Sequence, residues 1–216
     1  MCVIVAGKKQ KPTADELRAC AAANPDGNGV AWVEDGLVRF EKGIALAQVE
    51  ERVRAAPSWW AAHFRIGTAG GKSPELCHPF PVERDVPLAL SGSTKSVLFH
   101  NGHVGDWEET VLARILSSPD AVEVPPGAWS DSRAYAWLVA RHGRNVLSFA
   151  SGKWLLLTRS GPRIFPGSQA GWSKVGSVWY SNTNWIGRTS SCGTSSFFGS
   201  RAEVGECESP YGWPRS

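Results

Sequence analysis

The sequence predicts an α+β domain built on antiparallel sheets. Helical and strand patterns come in groups rather than in strict βαβ alternation. Asp35-Gly36 stands between two apolar, β-branched runs as a hairpin turn. After Asn145 the apolar period shortens to that of closely spaced strands, with turns carrying Gly152 and Gly161 between them.

The elements follow in order. Cys2 to Ala6 reads as a short buried strand, and Gly7 to Pro12 as a turn. Thr13-Ala-Asp-Glu16 is a capping box that opens a helix running to about Asn24. Asn24 to Gly29 is a dense loop signal, followed by the hairpin strands Val30 to Glu34 and Leu37 to Glu41. Ala45 to Ala55 has helical spacing and stops before Pro57. Ser58 to Ile66 is an aromatic-rich strand leading into the loop Gly67 to Ser73. Ser96 to Phe99 is a strand that runs into His100-Asn101-Gly102. Helices are expected over Asp106 to Leu116 and Ser130 to Arg141, the latter with Ser130 or Asp131 at its N-cap. Strands are expected at Val146 to Ala150, Lys153 to Thr158, Arg163 to Phe165 and Ser177 to Ser181.

The 216 residues suit one large domain with a core of its own, 42% hydrophobic and 20% charged. Eleven Trp against three Tyr is an excess that we read as packing. A net charge of +3, with no Lys/Arg run beyond Lys8-Lys9, gives no case for nucleic acid. No stretch approaches the ~20 apolar residues that cross a bilayer, and the N-terminal apolar stretch is too short for a signal peptide. A cytoplasmic protein without membrane contact is therefore expected. After Arg188 the composition turns Ser/Gly-rich, so residues 189–216 are expected to form a poorly ordered tail behind a domain of residues 2–188. Cys2, Cys20, Cys77, Cys192 and Cys207 are odd in number and scattered, which suits neither a disulfide framework nor a zinc site. His63, His78, His100, His103 and His142 show no metal spacing either, so neither metal nor cofactor is expected. The histidines are read as satisfying backbone groups around a pocket.

Four local signals carry chemistry. Initiator Met1 is generally trimmed before a small residue, which would leave Cys2 with a thiol and a free α-amine. An α-amine of pKa ~8 can take the proton of a thiol of pKa ~8.5, so no separate histidine base is required. Taken alone, Cys2 reads first as a small buried hydrophobe on the opening strand. In His63-Phe-Arg-Ile-Gly-Thr-Ala-Gly70, Arg65 ends an apolar strand where a guanidinium can grip a carboxylate with two parallel bonds, or else point into solvent. Leu98-Phe-His-Asn-Gly-His-Val104 offers either a type I′ turn or an oxyanion hole made by the Asn101 side-chain amide and the Gly102 N–H. In Ser130-Asp-Ser132, Asp131 is a first-turn acid or an acceptor for a substrate ammonium.

In this order and spacing, a residue-2 Cys, HxRxxTxG, HNG and SDS resemble the class II glutamine amidotransferases, which are N-terminal-nucleophile (Ntn) hydrolases. Asn24-Pro-Asp-Gly-x-Gly29, Cys77-His-Pro79 and Trp179-Tyr-Ser-Asn182 add to the match, which covers roughly residues 2 to 186. The resemblance implies a four-layer αββα sandwich, with two stacked antiparallel sheets between helices. It implies Cys2 as nucleophile with its own amine as base, and Asn101 and Gly102 as the oxyanion hole. Arg65 would bind the glutamine α-carboxylate in a pocket shaped by Thr68 and His78, and Asp131 would bind the α-ammonium. The family often continues Ser-Asp-Thr-Glu. Here Arg133 follows Ser132 and is expected to reverse a charge beside the ammonium site.

The expected reaction is attack on the glutamine side-chain amide, giving a γ-glutamyl thioester and ammonia, then glutamate. The ammonia would pass to a separate synthetase partner, because residues 187–216 are too few for a second enzyme. Rival readings are a hydrolase of another γ-glutamyl compound on the same scaffold and a catalytically silent binding or regulatory module. An N-terminal Cys hydrolase of the bile-salt or penicillin type fits less well, since HNG and the Arg65/Asp131 pair have no role there.

Overall fold

Five consecutive buried residues, Val3–Gly7, form strand β1 in the interior of the larger sheet, next to its central strand. The computed structural model describes residues 2–67, 73–118, 123–165 and 171–186, so the expected tail lies outside the described residues. Helix α1 (Ala14–Ala23) begins at the expected capping box, with Thr13 and Glu16 bonding each other's backbone N–H. Strands β2 (Asn28–Glu34) and β3 (Leu37–Lys42) make the hairpin, and Asp35 and Gly36 both take the positive φ that its turn requires. Helix α2 (Leu46–Ala55) and strand β4 (Trp60–Phe64) follow. Next come β5 (Phe80–Pro81), β6 (Ser91–Thr94), β7 (Ser96–Asn101), α3 (Trp107–Leu116) and α4 (Asp131–His142). The described chain closes with β8 (Lys153–Thr158), β9 (Gly161–Phe165), β10 (Ser173–Val175) and β11 (Val178–Tyr180).

The strands form two antiparallel sheets. Among the described residues, one has seven strands in the order β10-β11-β1-β4-β2-β3-β6, and the other has four in the order β5-β7-β8-β9. Alternation along each strand divides the core into three apolar clusters. Val3 and Val5 of β1 pack with Trp60, Ala62 and Phe64 of β4 against Leu17, Cys20, Val49 and Val53 of α1 and α2. Ile4 and Ala6, on the opposite face of β1, pack with Ala61, Phe40, Val97, Phe99, Leu155 and Leu157, which joins one sheet to the other. Leu98, Trp154 and Leu156 turn the far face of the smaller sheet toward Val111 of α3 and Ala134, Trp137 and Leu138 of α4. Trp60, Trp137 and Trp154 are among the largest fully buried side chains, which accounts for part of the tryptophan excess as packing.

The structure departs from the sequence expectations in two ways. Residues 146–150 are not a strand. Arg144–Ser148 make a 3-10 turn that follows Gly143, at φ 82°, and buries Leu147 in the cluster beneath α4. An apolar run this short looks alike in a strand and in a helical turn. Strands β5, β6 and β10 were not expected, and all three are sheet edges of two to four residues. Short edge strands carry little alternation to read.

Gly29 brings β2 against the segment that carries His78. A Cβ on Gly29 would lie 1.8 Å from the His78 carbonyl oxygen. Gly29→Ala therefore forces the two backbones apart, and we expect it to lower stability by about 2–3 kcal/mol. Urea unfolding measures this, and an unchanged midpoint would contradict the close approach.

Candidate functional site

At one end of the inter-sheet core the apolar packing gives way to buried polar side chains. Cys2 precedes β1 and, by alternation, shares the inter-sheet face of Ile4 and Ala6. Its Sγ accepts the Ile66 N–H at 3.3 Å and lies 3.5 Å from the Ile66 carbonyl. Burial pushes the Cys2 thiol above its usual pKa, while the Ile66 N–H and the Arg65 guanidinium pull it part of the way back. The Cys2 carbonyl accepts the Asn182 side-chain amide at 2.5 Å.

Arg65 is 4% exposed, so it is not the solvent-facing strand-end arginine that the sequence allowed. Its backbone is zipped to the loop before β2, with Arg65 N–H donating to Gly27 O at 2.8 Å and Asp26 N–H to Arg65 O at 2.9 Å. Gly67 N–H closes the same loop onto the Asp26 carboxylate at 3.0 Å. His78 is buried and lies against His63, ring centroids 4.1 Å apart. Neither ring nitrogen of His78 has a hydrogen-bond partner among the described residues. Thr68 lies outside the described residues.

Asn101 is the last residue of β7, paired with Lys153 of β8, and neither Asn101 nor Gly102 has a positive φ. The type I′ turn allowed by the sequence is thereby excluded. Gly102 is required by close approach instead. A Cβ there would lie 2.7 Å from Gly152 Cα and 2.8 Å from the His100 ring. The Asn101 amide lies 2.8 Å from Ser181 Oγ.

Ser130 caps α4, its Oγ accepting the Arg133 N–H at 3.3 Å, and this leaves Asp131 as the first helical residue. One carboxylate oxygen of Asp131 accepts the Ser132 N–H at 2.6 Å, and the other accepts the Val104 N–H at 3.1 Å. The second oxygen also lies 3.6 Å from His100 and 3.7 Å from the exposed ring of His103. Asp131 thus draws the His100–Val104 segment onto the N-terminus of α4. Arg133 does not reverse the charge here. Its guanidinium donates to the carbonyls of Val86, Pro126 and Ala128 and lies over the Trp129 ring, 4.8 Å from its centroid.

The site residues described are linked in a continuous set of contacts. Cys2 reaches Arg65 through Ile66 and reaches Asn101 through Asn182 and Ser181. His63 bonds the His100 carbonyl at 3.1 Å, and His100 bonds Ser132 Oγ at 3.1 Å while stacking on Trp154 at 3.7 Å. The His63 contact agrees with the expectation that histidines serve backbone groups here. Lys42 and Lys153, which the sequence reading passed over, are buried cations held by carbonyls: Lys42 by Glu75, and Lys153 by Gly171 and Ser181. A lysine inside a strand carries no sign that it is buried. Ser181 and Asn182 could be seen only as part of the Trp179-Tyr-Ser-Asn182 strand.

No family model and no curated protein matches the sequence. Among solved structures, the chain is similar to the glutamine phosphoribosylpyrophosphate (PRPP) amidotransferase from B. subtilis complexed with ADP and GMP, with a TM-score of 0.56 and 16% identity. The likeness is one of fold. It covers 88% of this chain and 43% of that one, so the present chain spans less than half of the neighbour's length. Among the described residues, no helix is long and apolar enough to cross a membrane.

Burial depresses the histidines of this site. His63 falls to about 3 despite its bond to the His100 carbonyl. His100 falls to about 4 despite Asp131. His78 falls as well, burial being reinforced by His63, His100, Arg65 and Lys42. The unfolded chain binds these protons near pH 6.5, so it holds more protons than the native state below that pH. Stability is then full above pH 6.5 and falls as pH drops toward 4, by up to about 1.4 kcal/mol per pH unit for each ring. Denaturant unfolding at pH 7, 6 and 5 should show this steep loss. His100→Gln should flatten the slope by roughly one ring's share, and an unchanged slope would mean that His100 is not held neutral.

Proposed function

We propose that this chain is an N-terminal-cysteine amidohydrolase of the glutamine amidotransferase type, folded as an αββα Ntn-hydrolase sandwich. The three apolar clusters and the likeness of fold support the architecture. The observation that carries the function is the linkage of Cys2, Arg65 and Asn101 at one polar end of the inter-sheet core, with Asp131 of α4 bonded to Val104 just beyond Asn101.

In this reading, removal of Met1 gives Cys2 a free amine. Because burial raises the thiol pKa, the thiolate must be generated by a nearby acceptor, and the α-amine is placed on the same residue to serve. Sγ attacks the side-chain amide carbon of glutamine, and the oxyanion is held by the Asn101 amide and the Gly102 N–H. The protonated amine delivers its proton to the departing nitrogen, ammonia leaves, and water hydrolyses the γ-glutamyl thioester to glutamate. Arg65 binds the α-carboxylate beside His78 and Thr68. Asp131 receives the α-ammonium at the oxygen that also accepts Val104 N–H, since a carboxylate oxygen can accept more than one bond. The released ammonia passes to an acceptor-activating synthetase partner.

Glutamate release should be assayed from glutamine and from other γ-glutamyl amides, with intact mass recorded to follow Met1. Cys2→Ala should abolish turnover, and Asn101→Ala should lower kcat roughly a hundred- to a thousandfold. Arg65→Met should raise KM by about tenfold or more, as expected for a lost charged hydrogen bond. Equal hydrolysis by wild type and Cys2→Ala would overturn the proposal. A preference for another γ-glutamyl amide over glutamine would reassign the substrate and keep the chemistry.

A further inference from the structure

Ser181 follows β11 and is fully buried, with four hydrogen bonds that converge on it from both sheets. Its N–H donates to the Ile4 carbonyl at 2.9 Å, and its Oγ accepts the Ile4 N–H at 2.8 Å. Its carbonyl accepts the Lys153 ammonium at 2.6 Å, and its Oγ lies 2.8 Å from the Asn101 side-chain amide. Lys153 is also the register partner of Asn101. The next residue, Asn182, holds the Cys2 carbonyl. The Ser181-Asn182 pair therefore ties the backbone of the nucleophile to the amide across the inter-sheet gap.

The hydrogen-bonding capacity of these groups admits a second sense for the Asn101–Ser181 bond, in which the hydroxyl donates. With Nδ2 facing Ser181, the buried Oδ1 has no partner among the described residues, and Ser181 Oγ accepts from both Ile4 and Asn101. A hydroxyl has one proton to donate, and the oxygen and nitrogen of a carboxamide are assigned by the bonds they make. Turning the amide over lets the Ser181 O–H donate to Oδ1. The NH2 group then takes the place of the orphaned atom, where it can serve an incoming negative oxygen.

We infer that Ser181 is a positioning residue that aims the Asn101 amide N–H at the reaction centre by donating its own hydroxyl proton to the amide oxygen. The inference rests on the proposed amide hydrolysis and adds to it the group that orients the oxyanion donor.

The test is a double-mutant cycle read by steady-state kinetics on glutamine, or on the γ-glutamyl amide that wild type turns over fastest. Ser181→Ala should lower kcat roughly ten- to a hundredfold, part of the full loss of an oxyanion donor, and leave KM within about threefold. Ser181→Thr, which keeps the hydroxyl, should recover most of that loss. In an Asn101→Ala background, Ser181→Ala should cost less than about twofold, because residues that act through one another are not additive. Should Ser181→Ala fail to fold, Ser181→Cys takes its place as a near-isosteric side chain with a weak donor. An equal cost in both backgrounds, or no cost in wild type, overturns the assignment. Cys2→Ala separates the two levels of inference. If it is inactive while Ser181→Ala is unimpaired, only the positioning role fails. If it is as active as wild type, or wild type hydrolyses no γ-glutamyl amide, the proposed reaction fails and the assignment with it.

Discussion

Between the two sheets, close packing of Ile4, Ala6, Phe99 and Leu155 gives way to Arg65, His63, His78, Asn101 and Ser181, all withdrawn from water, while His100 is buried on the helix-facing side against Trp154. A buried polar group without a partner costs on the order of 1–3 kcal/mol, more if it is charged. The structure meets this constraint with backbone atoms: the His100 carbonyl for His63, the Val104 N–H for Asp131, and Ile4 for Ser181. Among the described residues, buried atoms without a partner include ring nitrogens of His63, His78 and His100 and the Asn101 Oδ1, alongside others elsewhere in the core such as Trp60 and Trp137 Nε1.

The same constraint sets the electrostatics. Desolvation favours neutral imidazoles and a protonated thiol at this end of the core. A histidine base is thus ill suited to accept the proton of Cys2, since each nearby ring is held neutral by burial rather than tuned toward pH 7. That favours chemistry in which the base comes from outside the histidine cluster. Asp131 stands at the helix N-terminus, where the macrodipole supports negative charge next to these neutral rings.

Much of the architecture was legible in the residues. The capping box at Thr13, the Asp35-Gly36 hairpin and the Lys153 to Thr158 strand each carry a local rule strong enough to fix the element. The stretch 146–150 was misread because its short apolar run suits a strand and a helical turn alike, and only the space beneath α4 chose between them. Arg133 was misplaced for a similar reason. Its charge was visible, but the carbonyls of Val86, Pro126 and Ala128 that absorb it come from separate loops.

The sequence by itself determined which chemical groups are present and their order along the chain: a cysteine at position 2, an arginine at a strand end, Asn-Gly after a strand, and an acid opening a helix. It also determined that Cys2 shares a strand face with Ile4 and Ala6, because side-chain direction in a strand follows from local geometry, while the packing of the sheets decided that this face is the inner one. Tertiary structure alone decided that Ser181 reaches Asn101 and that Asn182 reaches Cys2, contacts that span 80 and 180 residues of sequence. No local propensity encodes such pairs. The first exists because the two sheets pack face to face, and the second because β11 lies beside β1 in the larger sheet, so both depend on chain segments that meet only in the folded state.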